Sequence, residues 1–355
     1  MTATQRLIAT ARATKKIYVE AVRGTWSELS PQPAWGTAGG PDYGYGPQCP
    51  IGLPGGGIIC WRVISGQPNW CHFDGVSWSY KAKATGATQD PAQGMALDAT
   101  HVYSIGNGEV QFFNGTSWTK ITPTMLATGG SGGYGVVKVH ALSATDVWAA
   151  GSNDTYPGGA LWRYNGGAWT DYWATPKNQF GLGACNVADV CGDGTDAYFA
   201  VGDFWSLTTH CVLRYHSGTW SMLGAQNLGW MPFAIWATSP TDVWAIGYDS
   251  RTSSTIHAHH WDGSSWTTGQ ALPPSSGTAL PPYNLRTLIG TNDNHLTCLT
   301  GAAAASTSTV RRSENDVATW TSPSGVGGNN PDALSIYLIS IIPVATGGHI
   351  AEVYS

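Results

Sequence analysis

Apolar residues in this chain fall into short runs bounded by glycine, proline, asparagine or aspartate, and no stretch sustains a helical period. The runs come in a fixed order. One such as VKVHALS (137–143) or PFAIWAT (232–238) leads, an acidic position and a VWAxG run follow, and an alternating run such as ALWRY (160–164) or HAHHW (257–261) comes third. A turn and a strand led by tryptophan close the unit. Asp74-Gly75, Asn114-Gly115, Asn165-Gly166 and Asp262-Gly263 supply that turn, because these residues accept the positive φ of a tight two- or three-residue hairpin.

The unit repeats. RGTW, FDGVSW, FNGTSW, YNGGAW, YHSGTW, WDGSSW and DVATW end at Trp26, Trp78, Trp118, Trp169, Trp220, Trp266 and Trp320, spaced 40 to 54 residues apart. A second landmark stands upstream of most copies: HVYSIG at 101–106, DVWAAG at 146–151, DAYFAVG at 196–202 and DVWAIG at 242–247. Four short strands recurring about every 50 residues are the mark of a β-propeller blade. The predicted fold is therefore all-β, a seven-bladed propeller with four-stranded antiparallel blades. Six units are complete, and the seventh blade is shared between residues 16–29 and 333–355, so that N- and C-terminal strands close the ring and leave no open edge. Residues 1–15 form a separate basic arm, and 16–355 a single propeller domain.

The pairing of TDVWAIG with HHWDGSSWT resembles bacterial and phage-type propeller repeats that share the outline of kelch, lectin-like and photosystem-assembly-factor propellers. The resemblance covers about residues 16–355. It implies a fold and a tendency to bind, and brings no catalytic set with it.

Composition narrows the functions. Only 11% of residues are charged, against 46 Gly and 18 Trp, and the net charge is −5, which speaks against a nucleic-acid partner held by a broad basic surface. No apolar run is long enough to insert in a membrane. Arg6, Arg12, Lys15 and Lys16 make the arm basic, with no acid among them and no apolar stretch of signal-peptide length. It is expected to dock on a protein partner. The seven cysteines are too few for a disulfide scaffold. Cys60 and Cys71 stand apart, since a turn at Ser65-Gly66 places them opposite each other, as two core thiols or as a cross-strand disulfide.

Catalytic patterns are wanting. DGVSW and DGSSW fail the sialidase Asp-box spacing, and only five glutamates are present to supply the paired carboxylates of a glycosidase. Asp146, Asp196 and Asp242 share one repeat position, which marks them as structural. His257 and His259 lie on one face of a strand and His260 on the other, read as lining an outer strand; the glycine-rich 128–135 lacks the Lys-Ser/Thr of a phosphate loop. No metal and no cofactor is assigned.

Binding has a clearer address. Links between first and second strands, and between third and fourth, are short and alike; those on the opposite face (31–57, 122–135, 153–159, 173–183, 203–209, 248–255 and 271–282) are long and dissimilar. Trp35, Tyr43, Tyr45, Tyr156, Trp173, Trp205, Trp230 and Tyr248 sit on or beside them, as candidate ligand-binding aromatics. The seven turn tryptophans are read instead as packing each outer strand against the next blade.

The function expected is a non-catalytic structural and binding module, a surface component of an extracellular particle such as a phage virion, without a classical signal peptide. Adhesion to a host surface or a cell-surface glycan would be its role. A free carbohydrate-binding lectin and a hydrolase with its site in the central channel are the alternatives.

Overall fold

The structure, a computed structural model, describes residues 9–11, 17–22, 25–28, 48–53, 57–64, 67–74, 76–82, 93–106, 109–121, 136–152, 159–183, 185–202, 209–248, 256–271, 288–290, 296–301 and 308–313. They form five four-stranded antiparallel sheets, preceded and followed by a three-stranded one. The first sheet joins β1 (Ala9–Ala11), β2 (Ile17–Val22) and β3 (Thr25–Glu28). The second runs β4 (Gln48–Gly52), β5 (Ile58–Ile64), β6 (Gln67–Phe73) and β7 (Trp78–Ala82), and the third β8 (Gln93–Asp98), β9 (His101–Gly106), β10 (Glu109–Phe113) and β11 (Trp118–Lys120). The fourth holds β12 (Val136–Ser143), β13 (Asp146–Ser152), β14 (Gly159–Tyr164) and β15 (Trp169–Asp171). Helix α1 (Ala174–Phe180) leads into β16 (Asn186–Gly192), β17 (Ala197–Gly202), β18 (His210–His216) and β19 (Thr219–Leu223) of the fifth. The sixth is β20 (Met231–Ser239), β21 (Asp242–Tyr248), β22 (Ile256–Trp261) and β23 (Trp266–Ala271); the last is β24 (Leu288–Gly290), β25 (Leu296–Gly301) and β26 (Ser308–Ser313).

Each sheet is a meander in sequence order, and from the second sheet to the last the first strands touch in succession, β4 to β8, β12, β16, β20 and β24. That is the inner wall of a propeller. Cores form between neighbouring sheets. Ile51, Ile59 and Trp70 meet Val102, Phe113 and Trp118 across one gap, and Trp148, Ala150 and Leu161 meet Phe199, Val201 and Leu213 across another. Both faces of a blade are therefore buried. In β13, Val147 and Ala149 enter one core while Trp148 and Ala150 enter the next, which explains why VWAA reads as a continuous apolar run instead of an alternation.

Trp118, Trp169 and Trp266 each tie their outer strand to the preceding sheet, not to the next one as the sequence suggests. Trp169 Nε1 donates to Ile121 O at 2.5 Å and Trp266 Nε1 to Leu223 O at 2.8 Å, while Trp118 stands edge-on to Trp70 of the sheet before it. The turns themselves hold four residues in four sheets, because Phe73 pairs with Trp78, Phe113 with Trp118, Tyr164 with Trp169 and Trp261 with Trp266. Only the glycine takes positive φ, +88° at Gly115 and +90° at Gly166. The preceding Asn or Asp instead turns its side chain back on the loop, Asn114 Oδ1 accepting from Thr116 N at 3.0 Å and Ser117 N at 2.9 Å. The fifth sheet has the two-residue form, Ser217 and Gly218 both at positive φ.

Three departures from the sequence reading have local causes. Residues 48–52, read inside a loop, are the inner strand β4; the pairing shifts between Gln48 and Ile51, so Pro50 sits at an irregularity where a missing N–H costs no ladder bond. Helix α1 is one turn too short to show a period, and it ends where Gly181 (φ +63°) donates to Lys177 O. Strand β1 lies inside the segment read as an arm and pairs with β2, Ala9 opposite Val19. Residues 333–355 and Trp320 lie outside the described residues, as do the side chains of Trp26 and Cys60.

Candidate functional site

Of the loop-face aromatics, Trp35, Tyr43, Tyr45, Tyr156 and Trp205 lie outside the described residues. Trp173, Trp230 and Tyr248 are described, and all are buried, at 6%, 6% and 4% exposure. Each packs on its own blade. A Cβ on Gly159 would stand 2.6 Å from the Trp173 ring and one on Gly247 2.4 Å from Trp230, so each indole lies flat on a strand where glycine leaves room. Trp230 also stacks on His259, with ring centroids 3.7 Å apart and planes 3° from parallel, and Tyr248 packs at a tilt against Phe233, with planes 43° apart. Burial holds the His259 imidazole neutral, pushing its pKa down to about 3, with the nearby His257 adding to the fall.

The opposite face carries an acidic side chain with a basic or imidazole partner in three successive sheets. Asp146 receives Arg163 through Nε at 2.7 Å and Nη2 at 2.8 Å, a two-pronged pair between the start of β13 and the end of β14. Asp196 receives Arg214 (Nε at 2.6 Å) and His216 Nδ1, and Asp242 receives His260 Nε2 at 2.7 Å, Trp244 Nε1 at 3.1 Å and the Thr238 hydroxyl. Burial raises the Asp242 pKa, but the hydrogen bonds from His260 and Thr238 outweigh it and hold the carboxyl below its ordinary range. Strand register makes these positions equivalent: Trp148 faces Arg163, Tyr198 faces Arg214 and Trp244 faces His260. In two of the three, the aromatic two residues after the aspartate packs on that partner, Trp148 on Arg163 and Trp244 on His260. Arg163 stands 5.3 Å from the Trp148 centroid and 5.1 Å from that of Tyr215 in the next sheet, whose hydroxyl it also reaches at 3.0 Å.

Sequence reasoning placed these aspartates as structural and missed their partners. The signal was there: the residue before the turn aromatic is Arg163, Arg214 or His260 where the landmark is Asp, and Phe112 in the third sheet, where it is His101. The aspartate and its Arg or His partner come and go together.

A second group was not foreseen. Lys138 of β12 and Asp189 of β16, each following a register shift in an inner strand, approach to 3.5 Å with side chains 7% and 8% exposed. Asp189 also accepts Val190 N and, from the next blade, Ile235 N, both at 2.9 Å. Burial raises its pKa, against the opposing pull of Lys138 and these amides. Three consecutive inner strands are thus joined through one carboxylate. Cys60 stands opposite Cys71 in the β5–β6 register, as the turn at 65–66 predicts. Among the described residues no group of three or more His, Cys, Asp or Glu is arranged to hold a metal ion.

Fold and register define the chain as a β-propeller. No family model and no curated protein matches it. Solved structures do. The Niastella koreensis GH74 enzyme superposes with a TM-score of 0.63 at 12% identity over 99% of this chain and 58% of its own. YCF48 bound to D1 peptide gives 0.51 at 12% over 87% and 94%. The extracellular domain of the B. thetaiotaomicron putative one component system BT4673 gives 0.50 at 12% over 87% and 38%. The chain thus spans less than two thirds of the first and third of these and nearly all of the second. At such identities the likeness is one of fold.

Proposed function

We propose that this protein is a non-catalytic, seven-bladed propeller that binds a partner through its face of long connections. It would be displayed on an extracellular particle such as a virion, where it adheres to a host surface or its glycans. The observation carrying this reading is the engagement of ionisable side chains within the blades. Asp146, Asp196, Asp242 and Asp189 each serve a cross-strand or cross-blade pair, so their charge holds the scaffold. The ring's regularity on one face and the diversity of its connections on the other fit a rigid stage for recognition. A fold of this kind does hold a peptide in YCF48. With Trp173, Trp230 and Tyr248 buried, ligand contact falls to Trp35, Tyr43, Tyr45, Tyr156 and Trp205. The basic segment would dock on a protein beneath. The seventh blade would combine β1 to β3 with residues 333–355.

The test pairs light-scattering mass with a glycan array, on the full chain and on R6Q/R12Q/K15Q/K16Q, which keeps the β1 backbone while removing the charge. Self-association or capture of an acidic protein that the charge variant loses, with no sugar bound, supports the particle component. Monomers of both chains with saturable glycan binding lost in W205A establish a free lectin instead. Turnover of a glycan on the array would overturn the non-catalytic reading.

A further inference from the structure

The turns at Asn114 and Asn165 are sites of chemical modification, and we infer that both asparagines convert spontaneously to aspartate and isoaspartate in the folded protein. The backbone nitrogen of the following residue attacks the side-chain Cγ, and the C–N bond to the amide breaks. Ammonia leaves and a five-membered imide remains. Water then opens one of the two imide C–N bonds, giving aspartate if the side-chain bond is cut and isoaspartate if the main-chain bond is cut.

Three features of these turns favour the first step. Both asparagines are exposed, and each is followed by glycine, so no β-carbon shields the attacking nitrogen. Each Oδ1 accepts two backbone N–H groups, from Thr116 and Ser117 in one turn and from Gly167 (3.1 Å) and Ala168 (2.9 Å) in the other, which draws electron density from Cγ. The Nδ2 that leaves and the glycine N–H that attacks take no hydrogen-bond partner among the described residues.

The glycine is locked in place. A Cβ on Gly115 would meet Thr100 Cγ2 at 2.8 Å and one on Gly166 would meet Thr145 Cγ2 at 2.7 Å, at φ of +88° and +90°. An aspartate fits the position that the asparagine holds, and the second and sixth sheets have one. Asp74 and Asp262 make the same pair of bonds, Asp262 Oδ1 accepting Ser264 N and Ser265 N at 2.8 Å each. These amides hold the Asp262 carboxyl down at about 2, so the charged product suits the turn. Isoaspartate does not suit it, because it adds a methylene to the main chain of a four-residue loop whose ends, Phe113 with Trp118 and Tyr164 with Trp169, are fixed in register.

The experiment is incubation of the purified full chain in mildly alkaline buffer at body temperature, with peptide mapping that separates aspartate from isoaspartate. Expected is conversion at Asn114 and Asn165 several-fold faster than at Asn186 and Asn227, which precede Val187 and Leu228. A rate at the two turns no faster than at those controls, while an unfolded peptide of the same sequence converts fully, overturns the proposal. N114D/N165D separates the products. A parent-like melting temperature supports accommodation of aspartate, and a clear loss of stability overturns that part.

Discussion

Lys138 and Asp189 are buried, so the charge of each depends on the other. Removing one partner leaves a buried charge, which costs about 3–5 kcal/mol, whereas replacing both with apolar residues is often neutral. K138M should therefore lower the unfolding free energy by about 3 kcal/mol and K138M/D189L should recover most of it, as read by urea denaturation. His259 carries the opposite lesson. Its pKa falls from 6.5 unfolded to about 3 folded, so the unfolded chain binds the proton first. The stability it contributes is whole above pH 6.5 and drains away between there and about 3, at about 1.4 kcal/mol per pH unit where the slope is full. H259F, which keeps an aromatic ring beside Trp230, should flatten that slope by one proton; an unchanged slope would place the titration elsewhere. Neither residue was legible as such. A lysine in VVKVH and an aspartate in NVADV look like ordinary polar interruptions until the bulges of neighbouring inner strands bring them to one level.

At the scale of the element, the hairpin turn is where sequence and geometry agree best and still differ in detail. Asn-Gly and Asp-Gly announced a turn, and a turn is present, but the side-chain carbonyl or carboxylate closing a four-residue loop does the work that two positive-φ residues would do in a shorter one. G166A tests both constraints on that glycine, the left-handed backbone and the contact with Thr145. A loss of about 1–3 kcal/mol is expected in thermal or chemical unfolding, and a neutral result would mean the loop rearranges freely. The tryptophan-led strands were legible because one position recurs in every unit. Helix α1 and strand β4 were not, the first having too few turns for its period to be read and the second being masked by Pro50 and the glycines after it.

For the whole molecule, closure is the open physical question, because a ring of meanders is stable only if its last blade meets its first. On the proposed arrangement, deleting residues 333–355 leaves an edge beside β1 to β3. That variant should lose a single sharp unfolding transition and associate through the exposed edge, as seen by calorimetry and light scattering. A monomer that melts like the parent would mean that β1 to β3 need no strand from that segment.

The sequence by itself determined the repeat, the antiparallel four-stranded unit and the structural role of the landmark aspartates, because those depend on local chemistry copied from unit to unit. Only the tertiary structure decided which cation each aspartate holds, that Trp173, Trp230 and Tyr248 lie buried, and that Lys138 and Asp189 bind three inner strands together. The Lys138–Asp189 link depends on contacts between blades, which join residues about 50 apart through space, whereas the Arg163, Arg214 and His260 partners of the landmark aspartates, 17 or 18 residues away, depend on strand register within one blade.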